Sequence, residues 1–319
     1  MSNARIDYIS RIQSIIFCLE NQTQYADFMI DKPPVPVNIY HNSQAQLLRN
    51  GLAISIFCYL EDFIKARVNE CINEIPSIYN HFSLIPTKEL KMRLTHSTLE
   101  GINKRSATLK INSDEATLFN FIQNETKHIS STLSHNFTTS SYAFGWSKEN
   151  INSTDIKIIF QDFFIKDFWG KVKLLSSHIT SSLIDPETEF KNIMKNRHKA
   201  AHVANTQIPS NSLFDLAKSS FIIAFCVDYY ISKSIKLIRI NDLNHMSSAY
   251  NFTTDFTTFK IIKFENSKWK EYSTSNPKRC IKIGIDFDNL KNLVSSRLKN
   301  NQFLICFSKE NYIKAWDIK

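Results

Sequence analysis

Glycine is scarce in this chain, five in 319 residues, against abundant lysine, asparagine, isoleucine and phenylalanine. The bias fits an AT-rich microbial genome and points to no particular activity. No two cysteines are spaced C-x-x-C. Cys18, Cys58, Cys71, Cys226, Cys280 and Cys306 are scattered, four of them in apolar helical patterns, which argues against a disulfide framework or a cysteine zinc site and for buried thiols. No run of eighteen apolar residues occurs, and Met1 to Asp7 lacks a basic region followed by an apolar stretch. The expectation is therefore no membrane span, no secretory leader and a cytoplasmic location. Sequons such as Asn21-Gln22-Thr23 and Asn136-Phe137-Thr138 then reflect asparagine content alone. No internal repeat at a solenoid period is present.

What is there is length and an uneven charge. A chain of 319 residues can bury a substantial core and is long enough for two domains. The net charge is +9, and residues 251 to 319 hold thirteen Lys or Arg against seven Asp or Glu. Most of the surplus thus sits in the last fifth of the chain, as in modules that meet polyanions, although a plain solvated basic surface has the same composition.

Hydrophobic periodicity divides the chain into a long helical part and a short alternating one. Residues 4 to 30 read as an amphipathic helix carrying Ile6, Ile9, Ile12, Ile16 and Leu19, ended by the proline-rich connector at 32 to 36. Helical patterns follow at about 43 to 74, 87 to 105, 114 to 134, 154 to 164, 166 to 181, 186 to 204 and 213 to 237, with 138 to 153 as a loop and Pro209 as an interruption. After about Asn244 the period becomes two: 259 to 264, 280 to 285, 303 to 307 and 312 to 316 read as strands, with a helix at 289 to 299. The expected architecture is mainly α, with an N-terminal helix and connector (1–42), a helical domain (43–243) and a small basic α+β or β-rich domain (244–319).

The segment Asn196-Arg197-His198-Lys199-Ala200-Ala201-His202 carries the chemistry. Ten arginines and nine histidines give about one such arginine-to-histidine spacing by chance, and Arg239 to His245 is a second match, so context has to decide. Around the first match Asp185, Pro186, Glu187 and Glu189 spell a helix start. Phe190, Ile193, Met194, Ala201 and Ala204 then form one apolar stripe on which Arg197 also falls, beside alanines that permit close approach. Cleaving RNA without a metal needs a base for the 2′-hydroxyl, a cation for the phosphorane and an acid for the leaving 5′-oxygen. Histidine and arginine supply these roles. Arg197 and His202 point roughly 140° apart on a straight helix, so one copy holds half of a site that two copies across a two-fold axis would complete. His198 and His202, four apart, share a face as in H-E-x-x-H zinc enzymes. Lys199 stands where that glutamate would be and no third ligand accompanies them, so no metal and no other cofactor is expected.

These residues resemble the HEPN superfamily, and within it the RiboL-PSP-HEPN-like proteins of bacterial defence and toxin systems. Arg197, the polar His198 after it and His202 match that family's hallmark in order and type, and the run from Gly51 to Lys65 resembles its early helix with a leucine-glutamate-x-phenylalanine pattern. The resemblance covers about residues 43 to 240. It implies a HEPN-like helical bundle and a metal-independent endoribonuclease, active as a homodimer, that leaves 2′,3′-cyclic phosphate and 5′-hydroxyl ends. An antitoxin or a phage-derived trigger protein would be a partner. The usual asparagine after the arginine is His198 here, and residues 250 to 319 have no counterpart in the family.

Around Arg197, His198 and His202, the residues Lys199, Asn196 and Glu61 are candidate substrate-binding or supporting groups. Glu61 would orient a motif side chain from a neighbouring helix, or else be a solvated acid. In the basic C-terminal part Lys268-Trp269-Lys270 is a candidate stacking point for a nucleic-acid base between two cations, or else part of a core. The alternative to an enzyme is a catalytically silent module that dimerises through its α-domain and binds RNA or a partner.

Overall fold

A computed structural model describes residues 2–20, 29–144, 151–179, 185–203, 205–252, 258–300 and 302–319. Its helices are α1 (Asn3–Leu19), α2 (Ile39–Ile72), α3 (Ile75–Ile78), α4 (Lys88–Met92), α5 (Thr98–Asn112), α6 (Glu115–Ser131), α7 (Ser153–Asp162), α8 (Phe168–Ile179), α9 (Pro186–His202), α10 (Ser210–Arg239), α11 (Leu243–Met246) and α12 (Phe287–Ser296). The strands are β1 (Phe259–Glu265), β2 (Lys268–Ser273), β3 (Lys282–Gly284), β4 (Phe303–Phe307) and β5 (Ile313–Ile318). The protein is therefore mainly helical with a small C-terminal sheet, as the change of period predicts. Among the described residues no helix is long and apolar enough to cross a membrane.

Local chemistry explains most boundaries. The Asn152 side chain caps α7 and Asp155 answers in a capping box, so this helix begins at Ser153, the last residue of the expected loop. Asp185 caps α9 by accepting from the Thr188 N–H, with Pro186 at the first helical position. The helix expected to reach residue 30 instead stops at Leu19, where Glu20 takes an extended backbone; residues 21–28 lie outside the described ones. Strand β2 is absent from the sequence expectation, because Lys268-Trp269-Lys270-Glu271-Tyr272-Ser273 holds three charged residues, no aliphatic one, and aromatics three apart instead of two.

Contacts group the chain into two units. The first comprises Met1–Ile64, Trp169–Tyr230 and Asn251–Lys319, the second Lys65–Phe168 and Ile231–Tyr250. Neither 1–42 nor 244–319 stands as a separate body, which corrects the sequential division. The reason is a shared core. In the first unit Trp316 of β5 meets Tyr8 of α1, Phe63 of α2, and Phe221 and Phe225 of α10, at ring separations of 5.9 to 6.2 Å. Buried beside it, Asp228 accepts from Arg5 Nε at 2.6 Å and from Trp316 Nε1 at 2.8 Å, and Arg5 also reaches Asp317 at 3.0 Å. Residues from both ends of the chain thus close one charged knot.

The sheet has the order β3-β2-β1-β4-β5, antiparallel except for the parallel pair β1 and β4. A parallel neighbour requires a crossover, and α12 lies on it. Alternation then gives each face its own core. Ile262, Trp269, Leu304, Cys306 and Ala315 pack with Leu290 and Val294 of α12, while Phe259, Phe303 and Trp316 belong to the opposite face, where Phe259 and Phe303 meet Tyr229 of α10.

The second unit is helical. Gly101 on α5 allows close packing of Tyr142, since a Cβ there would come within 2.9 Å of the Tyr142 Cβ. Arg93 Nε donates to the buried Asp162 at 2.8 Å. His245 is fully buried, its Nε2 2.9 Å from Ser234 Oγ, and burial pushes its imidazole down to about 4. The unfolded chain therefore takes up a proton near pH 6.5 that the folded state refuses. His245 should contribute its full stability above about pH 6.5 and lose it as pH falls toward 4, by on the order of 3 kcal/mol. Urea midpoints of wild type and His245→Gln compared at neutral and acid pH check this. An equal acid loss in both proteins counts against it.

Candidate functional site

All of the motif lies in the first unit. Helix α9 buries Phe190 and Ile193, with Phe190 placed 5.6 Å from the Trp169 ring of α8 and 6.1 Å from the Phe57 ring of α2. Further along the same stripe Met194 and Arg197 are half-buried and Ala201 is exposed, so the stripe that the sequence draws as continuous opens to solvent in the last turn; Ala204 lies outside the described residues. That last turn is fastened elsewhere. Val203 N–H and Thr206 Oγ1 donate to the Lys199 carbonyl, and the Thr206 carbonyl accepts from Gln46 and Asn50 of α2 at 2.8 and 3.2 Å. The motif end of α9 is thus tied to α2 by polar bonds after its apolar packing has run out.

Arg197 turns toward α2. Its guanidinium lies close enough to Cys58 for its charge to act on the thiol, and its Nε is buried without a hydrogen bond among the described residues. Cys58 is the residue that sequence reasoning missed, although it lies one helical turn before Glu61 and on the same face. Burial pushes the Cys58 thiol up; the Arg197 charge opposes that shift, and the Glu61 and Asp62 carboxylates add to it. A thiol held protonated is a weak nucleophile. Alkylation of Cys58 at neutral pH, followed by peptide mass spectrometry, should thus run slower than that of a free peptide thiol. Reaction at the free-thiol rate would contradict this placement.

Glu61 is only 6% exposed, so it is no solvated acid. Asp62 beside it is exposed and reaches Arg11 at 3.4 Å. On the other side of α9, His198 and His202 are exposed and their rings lie 4.8 Å apart, as residues one turn apart should. Lys199 is exposed; Asn196 is half-buried and donates back to the Asn192 carbonyl at 2.9 Å. The structure thus brings the two imidazoles to each other and the guanidinium to Cys58, with no hydrogen bond among the described residues joining Arg197 to either imidazole. Nor do the described residues hold any group of three His, Cys, Asp or Glu side chains placed to share a metal ion.

The second arginine-to-histidine match is structural. Arg239 pairs with Glu74 at 2.7 Å, and His245 is buried. Lys268-Trp269-Lys270 is split by the pleat of β2. Trp269 is buried among Phe264, Phe287 and Leu290, with Lys314 Nζ 5.1 Å above its ring, whereas Lys268 and Lys270 share the opposite face. The indole that the sequence offers as a stacking surface is a core side chain. No family model, no curated protein and no solved structure matches this chain.

Proposed function

We propose that the chain is a metal-independent endoribonuclease of the HEPN type, acting as a homodimer in bacterial defence or as a toxin. The observation that carries this reading is the placement of the exposed His198–His202 pair on the last turn of α9, with the Arg197 cation anchored one residue away on the α2 side. In it His202 serves as general base or acid, Arg197 stabilises the phosphorane, and His198 positions the substrate or shares proton transfer. Within one copy the guanidinium and the imidazoles face different ways, which is the arrangement a composite site across a two-fold axis requires. Leu47, Leu48 and Val203, exposed by 72%, 48% and 49% beside the ties between α2 and α9, supply apolar surface that a second copy would cover. The test is cleavage of total RNA by the purified protein with and without EDTA, with 2′,3′-cyclic phosphate ends as the signature and Arg197→Ala and His202→Ala as comparators.

A second reading, a silent dimerisation and RNA- or partner-binding module, is favoured by one observation: among the described residues no hydrogen bond joins Arg197 to the exposed imidazoles, and its charge acts on Cys58 instead. Growth of cells expressing wild type against His202→Ala separates the two. Equal toxicity, or none from either, favours the module.

A further inference from the structure

We propose that a cleft beside strands β1 and β2 of the C-terminal sheet binds a nucleotide phosphate, carried by a free nucleotide or by an RNA strand. The cleft, about 460 Å³, lies in the first unit between His178 at the end of α8 and the strands β1 and β2, with Lys278 on its rim. Its size falls in the range of small-ligand sites. Strand alternation builds it. Phe259, Ile261 and Lys263 share one face of β1, and among the described residues aromatics of α10 pack on its Phe259 end. Lys263 and Tyr272, farther along, remain half-buried and line the cleft with Ile261.

The electrostatics favour an anion. Lys263 and Lys270 stand directly opposite in the antiparallel register, an arrangement of like charges that a bound anion relieves. The acid of the cleft, Glu265, is already engaged: Tyr272 Oη donates to it at 2.5 Å and Lys270 Nζ lies 3.9 Å away. That bond holds the Tyr272 hydroxyl in its protonated form, pushed up to about 12. Among the described residues neither Lys263 nor Lys278 makes an ion pair, so two ammonium groups border the cleft without a carboxylate of their own. Lysine binds phosphate as a point charge, while the Tyr272 ring and Ile261 offer the flatter, less polar surface that a ribose and base require. The basic surplus of the last fifth of the chain thereby acquires a place, on the face opposite Trp269.

The proposal does not rest on cleavage at Arg197 and His202, because its readout is binding. Full-length protein is titrated at low salt with inorganic phosphate, with AMP, and with a labelled 2′-O-methyl oligoribonucleotide that lacks the nucleophile for cleavage. Binding of AMP or of the oligonucleotide is expected, weakened roughly tenfold or more by Lys263→Glu combined with Lys278→Glu. Lys299→Glu combined with Lys309→Glu makes the same charge change elsewhere and should stay within about twofold of wild type. AMP binding identifies a free nucleotide as sufficient; oligonucleotide binding alone assigns the cleft to a strand. If the cleft pair melts early, Lys263→Gln with Lys278→Gln replaces it, with the same direction expected. No binding of AMP or oligonucleotide, or an equal loss from both charge-reversed pairs, overturns the proposal.

Discussion

Total RNA treated with the purified chain should be cut at a rate that falls about 10²- to 10⁴-fold in the His202→Ala variant, the usual range for loss of a positioned general acid or base. Arg197→Ala should fall by a similar order, because a permanently charged donor aimed at a developing phosphorane contributes through the transition state and not through ground-state binding. The structure makes His202→Ala the cleaner comparator of the two. His202 is exposed and its removal leaves the packing of α9 on Phe57 and Trp169 untouched. Arg197 is half-buried against Cys58, so an Arg197→Lys variant is needed beside the alanine: it keeps the charge but loses the planar fork. Activity in wild type that survives EDTA and disappears in both alanine variants supports the assignment. Equal cleavage in all three would end it. A heterodimer of Arg197→Ala with His202→Ala adds a sharper result, since a composite site assembled from two copies predicts partial recovery in the mixture that neither variant shows alone.

Asp228→Ala should destabilise the first unit by about 3 to 5 kcal/mol, the cost of breaking a buried ion pair from one side. Asp228 is fully buried and accepts from both Arg5 and Trp316, so its removal strands a guanidinium at 3% exposure and leaves an indole N–H without its acceptor. Asp317 remains 3.0 Å from Arg5 and keeps part of the attraction. Asp228→Asn, which preserves shape and can still accept one bond, should lose less. Urea unfolding of the three proteins measures the order. A loss below about 1 kcal/mol in the alanine variant would mean that the knot is not holding the two chain ends together. The ends meet at this point because Arg5, Asp228, Trp316 and Asp317 come from α1, α10 and β5, elements with no sequence proximity.

How much of this was legible beforehand depends on the range of the physics involved. The start of α9 was readable because capping is local: Asp185, Pro186 and the acidic first turn act within four residues. The change to a period of two after Asn244 was readable for the same reason, and strand β4 falls at the residues expected for it. Even so, β2 was lost to its lysines. The two histidines could be placed on one face by spacing alone, and their 4.8 Å separation follows from the helix.

Which way a side chain's environment turns is set by elements far away in the chain, and there the sequence was silent. Glu61 reads as an orienting group or a solvated acid, and His245 as part of a polar, turn-like run; both are buried. Trp269 reads as a stacking platform and is a core residue, because α12 brings Phe287 and Leu290 against it. Arg197 reads as half of a catalytic pair and its charge acts on Cys58, 139 residues earlier, while the N-terminal helix and the C-terminal strands, which read as separate segments, share one buried ion network. Caps and periodicity, acting over one or two turns, belong to the sequence. The partner of a charge and the cover over a ring are decided by packing, whose free energy depends on surfaces that only the folded chain brings together.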